Sequence, residues 1–568
     1  MNALTHPSLV PAQATLIEAN WIDFLIVGIY FAFVLGIGIA ARRQVSDSID
    51  FFLSGRSLPA WVTGLAFISA NLGAVEIMGM SATGAEIGLP TFHYFWVGAI
   101  PAMLFLGVVM MPFYYGSKVR SVPEFMLRRF GPGAHLVNAI SFAVAQLLIA
   151  GVNLYLLASI VEALLGWPQW VSLIVAAAIV LSYITLGGLS AAIYNEVLQF
   201  FVIVAALLPL TLIGLNRVGG WSGLTERVTA AAGGSDAELH SWPGQGLSGF
   251  DNPVLSVVGI VFGLGFVLSF GYWTTNFVEV QRAMASNSIS SARKTPIIGA
   301  FPKMFVPFIV IIPGMIAAVL VHEISGLKAG QNTGATYNDS LLLLMRDVLP
   351  NGLLGLAIAG LLAAFMAGMA ANISAFNTVF SYDLWQTYVV KDKDDDYYLR
   401  TGRLATVVAT VIAIFTALIA SSFSNIMDYL QTLFGFFNAP LFATFILGMF
   451  WRRMTATAGW VGLVAGTLSA IFLWTLGNPE IFGVFELPGQ GLAFLCASVA
   501  FVVDIVLSVA VTMVTKPKPR EQLKGLVYSE TPKEDLVDPH EAALPVYQRT
   551  IPLAIAAGVL VLALNFIL

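Results

Sequence analysis

Apolar runs of about 20 residues, each closed by a short polar stretch, recur along the whole chain. That is the length an α-helix needs to cross the ~30 Å hydrocarbon core of a bilayer. Fourteen spans are predicted, near 20–41, 61–88, 94–116, 132–165, 168–187, 189–217, 252–283, 296–321, 352–387, 398–422, 426–451, 456–477, 490–516 and 548–567. The pattern predicts an all-α integral membrane protein.

Two of these runs are interrupted. The segment from Trp61 to Gly88 carries Asn71, Gly73, Glu76 and Gly79 in its middle. A carboxylate at the bilayer centre costs roughly 2.5–3.5 kcal/mol even on mild insertion scales. Glycine beside it lets a helix open, and open backbone at membrane depth is tolerated where it lines a cavity. The second interrupted run holds Ser269-Phe-Gly-Tyr-Trp273 and lies five spans later. An odd shift sets the two runs in opposite directions. Broken helices at matching places of two inverted halves are the mark of a transporter binding site at the midplane. The predicted organisation is a tail, extra span and loop (1–60), a first five-helix repeat (61–217), an inverted second repeat (252–451) and three peripheral spans (452–568).

Composition agrees. The chain is 58% hydrophobic and 10% charged, where a soluble chain carries about 25% charged residues. The single cysteine, Cys496, lies in an apolar run, so there is no disulfide framework. A net charge of -5 and the lack of a basic domain leave nothing for nucleic acid to bind. The first nineteen residues contain no Lys or Arg, unlike a signal peptide. The polar loops 218–251, 322–351, 388–398 and 517–547 are too short for a catalytic domain. The run Lys391–Asp396 reads as a solvated loop, and Pro517, Pro519, Pro532 and Pro539 mark a flexible linker. No Cys/His cluster, phosphate loop or nucleophile–base pair occurs, and Gly263-Leu-Gly265 is too short for a dinucleotide fingerprint. The chain does not read as an enzyme, and no obligate protein partner is evident.

Positive charge sets the orientation. With the loop holding Arg42, Arg43 and Arg56 taken as cytoplasmic, 22 of the 27 Lys and Arg fall on that side, four fall opposite, and Lys303 lies within a span. Both termini are then expected outside.

Several motifs resemble those of the sodium:solute symporter family. Phe51-Phe-Leu-Ser-Gly-Arg-Ser-Leu-Pro59 with Ala70-Asn71 and Gly79-Met80-Ser81 is similar to its first core helix. Ser121-Val-Pro-Glu-Phe125, Tyr183–Ala191 with its Gly-Gly-Leu, Tyr272-Trp273 with Asn276 and Gln281-Arg282, Lys303, and Gly448-Met-Phe-Trp451 extend the resemblance from about 20 to 460. The fourteen-span count fits the sugar-transporting branch, the bacterial sodium/glucose–galactose cotransporters among it. The resemblance implies a LeuT-type core in a cell membrane, that of a bacterium, alternating access between the two repeats, Na⁺ as coupling ion and a small polar solute such as a sugar.

It also implies site residues. Carbonyls of Ser69, Leu72 and Ala364 fall where the family holds sodium, and the two hydroxyl ligands of the family fall on Ala367 and Gly368. Ala and Gly offer no side-chain oxygen to a hard cation. The site then uses carbonyls, water and Ser69, or coupling has moved to Glu76 or Asn372, or the protein does not need sodium. Glu76 stands where relatives carry a neutral Gln or His. It either binds solute, proton or cation, pairs with Lys303, or is satisfied by helix N–H groups. Lys303 either reaches the solute or snorkels to the interface.

Around the solute, the resemblance places Asn71, Tyr272, Trp273, Met427 and Gln431. Tyr272-Trp273 is expected at the helix break, as an inner gate and stacking ring or as interfacial anchors. Gln431 is a solute ligand or an interhelical hydrogen bonder. Phe95 replaces a sugar-binding Glu, Ser269 an Asn, and Ala145 and Ile149 a Tyr and an Asn, so the pocket is less polar than a sugar pocket. Glu196 is placed along the ion exit path or at the interface, and His93 at an external helix end. The prediction is a sodium-coupled symporter. A sodium-independent or proton-coupled carrier using Glu76 is the alternative. A membrane sensor is disfavoured because no kinase or receiver domain follows the last span.

Overall fold

A computed structural model of the chain describes residues 17–42, 54–73, 75–117, 119, 121–421, 423, 425–479, 481–488, 490–536 and 538–567. Phe51-Phe-Leu53 of the first motif and the side chains of 182–188 in the Gly-Gly-Leu signature lie outside the described residues.

The architecture is all-helical. Among the described residues the single β-contact is an isolated bridge between Leu58 and Ser286. In chain order the helices used below are α1 (Trp21–Arg42), α2 (Ala60–Asn71), α3 (Met80–Ile87), α4 (Pro132–Leu165), α5 (Gln169–Val218), α6 (Phe270–Thr275), α7 (Phe277–Met284), α8 (Ile289–Lys303), α9 (Val306–Leu320), α10 (Leu353–Thr378), α11 (Asp395–Ala420), α12 (Ile426–Phe450), α13 (Ala456–Gly477), α14 (Gly491–Val514) and α15 (Thr550–Asn565).

Ten helical segments among the described residues are long and apolar enough to cross a membrane, or eleven with the bent pair of α2 and Val75–Ile87 taken as one. The spans expected at 20–41, 168–187 and 548–567 appear as shorter apolar stretches, Trp21–Ile37, Gln169–Leu181 and Thr550–Asn565. One helical run, α5, covers both spans expected at 168–187 and 189–217.

Helix α10 sits at the centre. Its apolar window, Leu353–Val389, is 89% buried, against 33% for α13 at the edge. Small residues line the buried faces of α10. Ala359, Gly360, Ala363, Ala364, Ala367, Gly368 and Ala371 are buried on α10, and small residues let helix backbones approach closely where lipid supplies no hydrophobic drive. A methyl on Gly360 would overlap Ala206 of α5. On the outer helices the large residues point away from protein: Phe33 on α1, Phe415 on α11 and Phe472 on α13 are all more than 60% exposed. These are the lipid-facing flanks.

The segment 517–547 differs from the flexible linker that its prolines predict. It forms short 3₁₀ turns docked on the bundle. Leu523 and Val527 are buried, and Tyr528 stacks on Phe450 with ring centroids 5.7 Å apart. Asp538 accepts from Ser290 N at 3.3 Å. Proline removes backbone donors, and here apolar contacts hold the segment in their place.

Candidate functional site: a cavity between two broken helices

Helix α2 ends at Asn71, and the chain resumes as a π-helical turn, Val75–Gly79, that runs into α3 with a bend of 56°. The amides show what the break does. In a continuous helix Gly73 N donates to Ser69 O and Glu76 N to Leu72 O. Here Gly73 N donates to Asn71 O at 2.7 Å and Glu76 N to Gly73 O at 3.1 Å. The carbonyls of Ser69 and Leu72 are thereby released from the ladder.

The second break lies three residues later than expected. α6 continues through Tyr272-Trp273, and the chain opens at Asn276, whose backbone is extended at ψ 117. Asn276 Oδ1 accepts from Val278 N at 3.0 Å, so its side chain starts α7 as an N-cap. Tyr272 and Trp273 are therefore presented from a helix, one turn before the opening.

Lys303 ends α8, just before a two-residue turn at Met304-Phe305. It is fully buried and does not snorkel. Its Nζ donates to Glu76 Oε1 and to Asn71 Oδ1. It also lies 5.1 Å from the ring centroids of both Phe95 and Trp273, where ring quadrupoles attract a cation. Phe95 thus backs the ammonium and is not among the residues lining the cavity. Asn71 Nδ2 donates in turn to Tyr272 Oη at 3.1 Å, and Tyr272 Oη to Glu279 Oε1 at 2.9 Å. One chain of contacts, Glu76–Lys303–Asn71–Tyr272–Glu279, joins α2, the turn Val75–Gly79, α6, α7 and α8. Glu279 escaped the sequence reading. Its signal was there, an acid in the apolar-flanked Phe277-Val-Glu-Val280 directly after the break.

A cavity of ≈ 110 Å³ opens beside this chain. Asn71, Glu76, Ser269, Tyr272, Trp273, Met427, Gln431 and Gly368 line it, together with Tyr94, Asn153, Asn276, Asn372, Leu430 and Phe434. The walls alternate rings and amides, and Glu76 Oε2 and Tyr94 Oη are buried there without a partner. Met427 is positioned by Gly79, where a methyl would lie 2.9 Å from its Sδ. Tyr94, Asn153 and Asn276 are lining residues that no solute role was given from sequence. Ser69, Leu72, Ala364 and Ala367 lie behind the lining, all fully buried.

Two other expectations change. Glu196 is no interfacial carboxylate: Arg282 grips it with Nη2 at 2.6 Å from Oε1 and Nε at 3.3 Å from Oε2, both side chains buried. His93 does stand at a helix end, as expected, but is buried there rather than open. It is 1% exposed, its Nε2 is 2.7 Å from Ser241 O and its ring 4.0 Å from that of Trp242, so the loop 235–250 covers it.

Broken helices that meet at a half-polar cavity, inside a bundle with lipid-facing flanks, define a solute transporter of the membrane. The sodium:solute symporter family matches residues 51–466. The chain belongs to that family and is a sodium-coupled solute symporter. A sodium/glucose cotransporter of Vibrio parahaemolyticus is 29% identical, over 80% of this chain and 85% of its own. Sodium/glucose cotransporter 4 of Danio rerio is 28% identical, over 95% and 86%. Among solved structures, that of a substrate-bound, outward-open Na⁺-coupled sialic acid symporter matches with a TM-score of 0.73 at 18% identity, over 88% of this chain and 99% of that one. The fold is therefore shared with it.

Proposed function

We propose that the solute is a sugar, bound in the cavity between the two broken helices and carried inward with Na⁺. The observation that carries this is the cavity wall itself. Trp273 and Phe434 bring aromatic rings, suited to the apolar C–H face of a pyranose, to the same lining as Asn71, Gln431, Asn372 and Glu76, whose Oε2 has no partner. Pockets of this kind pair an apolar body with a few placed polar groups. The names of the relatives support the sugar class.

In this proposal Lys303 does not hold the solute directly. It fixes Glu76 and Asn71 in place, leaving Glu76 Oε2 for a hydroxyl pair. The engagement of Glu76 by Lys303 also weighs against a proton-carrying Glu76. The core is a LeuT-type pair of inverted five-helix repeats, 61–217 and 252–451, that rock against each other, with both termini outside. Glu196 and Arg282 tie the two repeats together near the inward path of the ion.

The test is ²²Na⁺ uptake into proteoliposomes with a panel of sugars, polyols, organic acids and amino acids. Stimulation by one or more hexoses and by no acid is expected. Stimulation by an acid or amino acid with none by any sugar refutes the sugar assignment.

A further inference from the structure

We propose that Asn153 of α4 supplies the side-chain oxygen of the sodium site, replacing the hydroxyls that Ala367 and Gly368 lack. This rests on the sodium-coupled function above and names the ligand set that performs it.

Five observations bear on this site. Asn153 is 2% exposed, and its Oδ1 has no donor. Its Nδ2 donates to Ile149 O at 3.2 Å, one turn back on its own helix, which points the amide oxygen the other way. That oxygen faces two glycines: a methyl built on Gly368 would lie 2.7 Å from Oδ1, and one on Gly73 3.3 Å from it. Ser69 Oγ, in the last turn of α2 and behind the cavity lining, is also fully buried without a partner. Finally, Ala364 O lies 3.7 Å from the same built position on Gly73.

An amide oxygen buried without a donor is costly, and of several such atoms among the described residues Asn153 Oδ1 lies beside Gly73 at the first helix break. Asn153 Oδ1 and Ser69 Oγ, with the carbonyl of Ala364 near Gly73, are neutral oxygens of the kind a hard cation takes in exchange for its water. The glycine on α10 then has a purpose. A Cβ at 368 would lie 2.7 Å from Asn153 Oδ1, so a side chain on α10 and the present position of the Asn153 amide compete for the same space. The chain uses the second. Asn372, one turn further along α10, lines the cavity and is left for the solute.

The test uses the purified full chain in nanodiscs, with thermal unfolding measured in NaCl against choline chloride at equal ionic strength, and the sodium dependence of uptake in proteoliposomes. The wild type should be stabilised by Na⁺. Asn153→Ala should raise the half-saturating Na⁺ concentration about tenfold or more, the scale on which losing an oriented ligand contact weakens metal binding, and should lose the thermal shift. Asn153→Asp should retain it. The double variant Asn153→Ala with Gly368→Ser returns a hydroxyl to α10 and should recover the sodium response, whereas Gly368→Ser alone should not improve it. Unchanged sodium dependence in Asn153→Ala, or a folded double variant that stays insensitive, overturns the Asn153 assignment while sodium coupling stands. A wild type indifferent to Na⁺ in both assays overturns sodium coupling itself. If Asn153→Ala does not fold, the double variant and Asn153→Asp decide.

Discussion

Tyr272 donates its hydroxyl to Glu279 across the second helix break, at 2.9 Å, while accepting from Asn71 beside the first. One phenol therefore spans both openings. It couples the piece of chain that frees the carbonyls of Ser69 and Leu72 to the piece that begins at Asn276. A movement of either half must break or carry this bridge.

Tyr272→Phe removes the hydroxyl and leaves two buried partners unmatched. Losing a hydrogen bond to a charged group costs about 1.5–3 kcal/mol, so the variant should unfold at a lower temperature than the wild type in detergent. Glu279→Gln keeps an acceptor and should fall between the two. A Tyr272→Phe protein as stable as the wild type would show that the bridge carries no weight.

Glu76→Gln leaves Lys303 buried with its ion-pair partner neutralised. Breaking one side of a buried pair costs about 3–5 kcal/mol, whereas replacing both sides by apolar groups is often neutral. Glu76→Gln alone should therefore lose more stability than the double change Glu76→Leu with Lys303→Met. Neither should transport. Stability in the reverse order argues against the pair, and solute uptake by the double variant argues against a part for it in binding.

The Glu196–Arg282 contact offers a sharper geometric test. The guanidinium reaches both carboxylate oxygens, and lysine cannot reproduce that fork. Arg282→Lys should be destabilised almost as much as Arg282→Met, both by more than about 2 kcal/mol. Denaturation midpoints for the three proteins decide it, with a wild-type-like Arg282→Lys as the contrary result.

Gly314→Ala probes the crossing of α3 and α9. A methyl there would overlap Ser81 O, and one on Gly84 would lie 2.7 Å from Ile311 O. Forcing extra volume into such a contact costs about 1–3 kcal/mol. Gly314→Ala should lower both the melting temperature and the yield of uptake-competent protein. Gly36→Ala, at a helical glycine of α1 with open space around it, is the control for glycine replacement as such.

How much of this was visible in the residues depends on range. The break after Asn71 was legible because Asn, Gly and Glu in an apolar run violate a local rule, and so were the two aromatic residues and the buried lysine. The second break was misplaced by three residues because Ser269-Phe-Gly looks weak locally. What opens the chain is the capping side chain of Asn276, a polar residue like many others until the amide of Val278 is seen beneath it. Phe95 was set on the solute by its column in the family pattern, yet its ring is turned to Lys303. Glu279, though an acid between apolar residues, and Asn153, whose neighbours in sequence are ordinary, were both passed over. Their importance lies in what faces them from other helices.

The sequence by itself determined the membrane class, most of the crossing helices and the place of the first break in helical hydrogen bonding. These follow from hydrophobicity and backbone chemistry, which act over a few residues. Only the tertiary structure decided the partners. Lys303 meets Glu76 over more than two hundred residues of chain, and Asn153 points its free oxygen between Gly73 and Gly368. Buried polar groups must find partners in space, and proximity in space is set by how helices cross, through small residues such as Gly360 and Gly314, which no local pattern encodes.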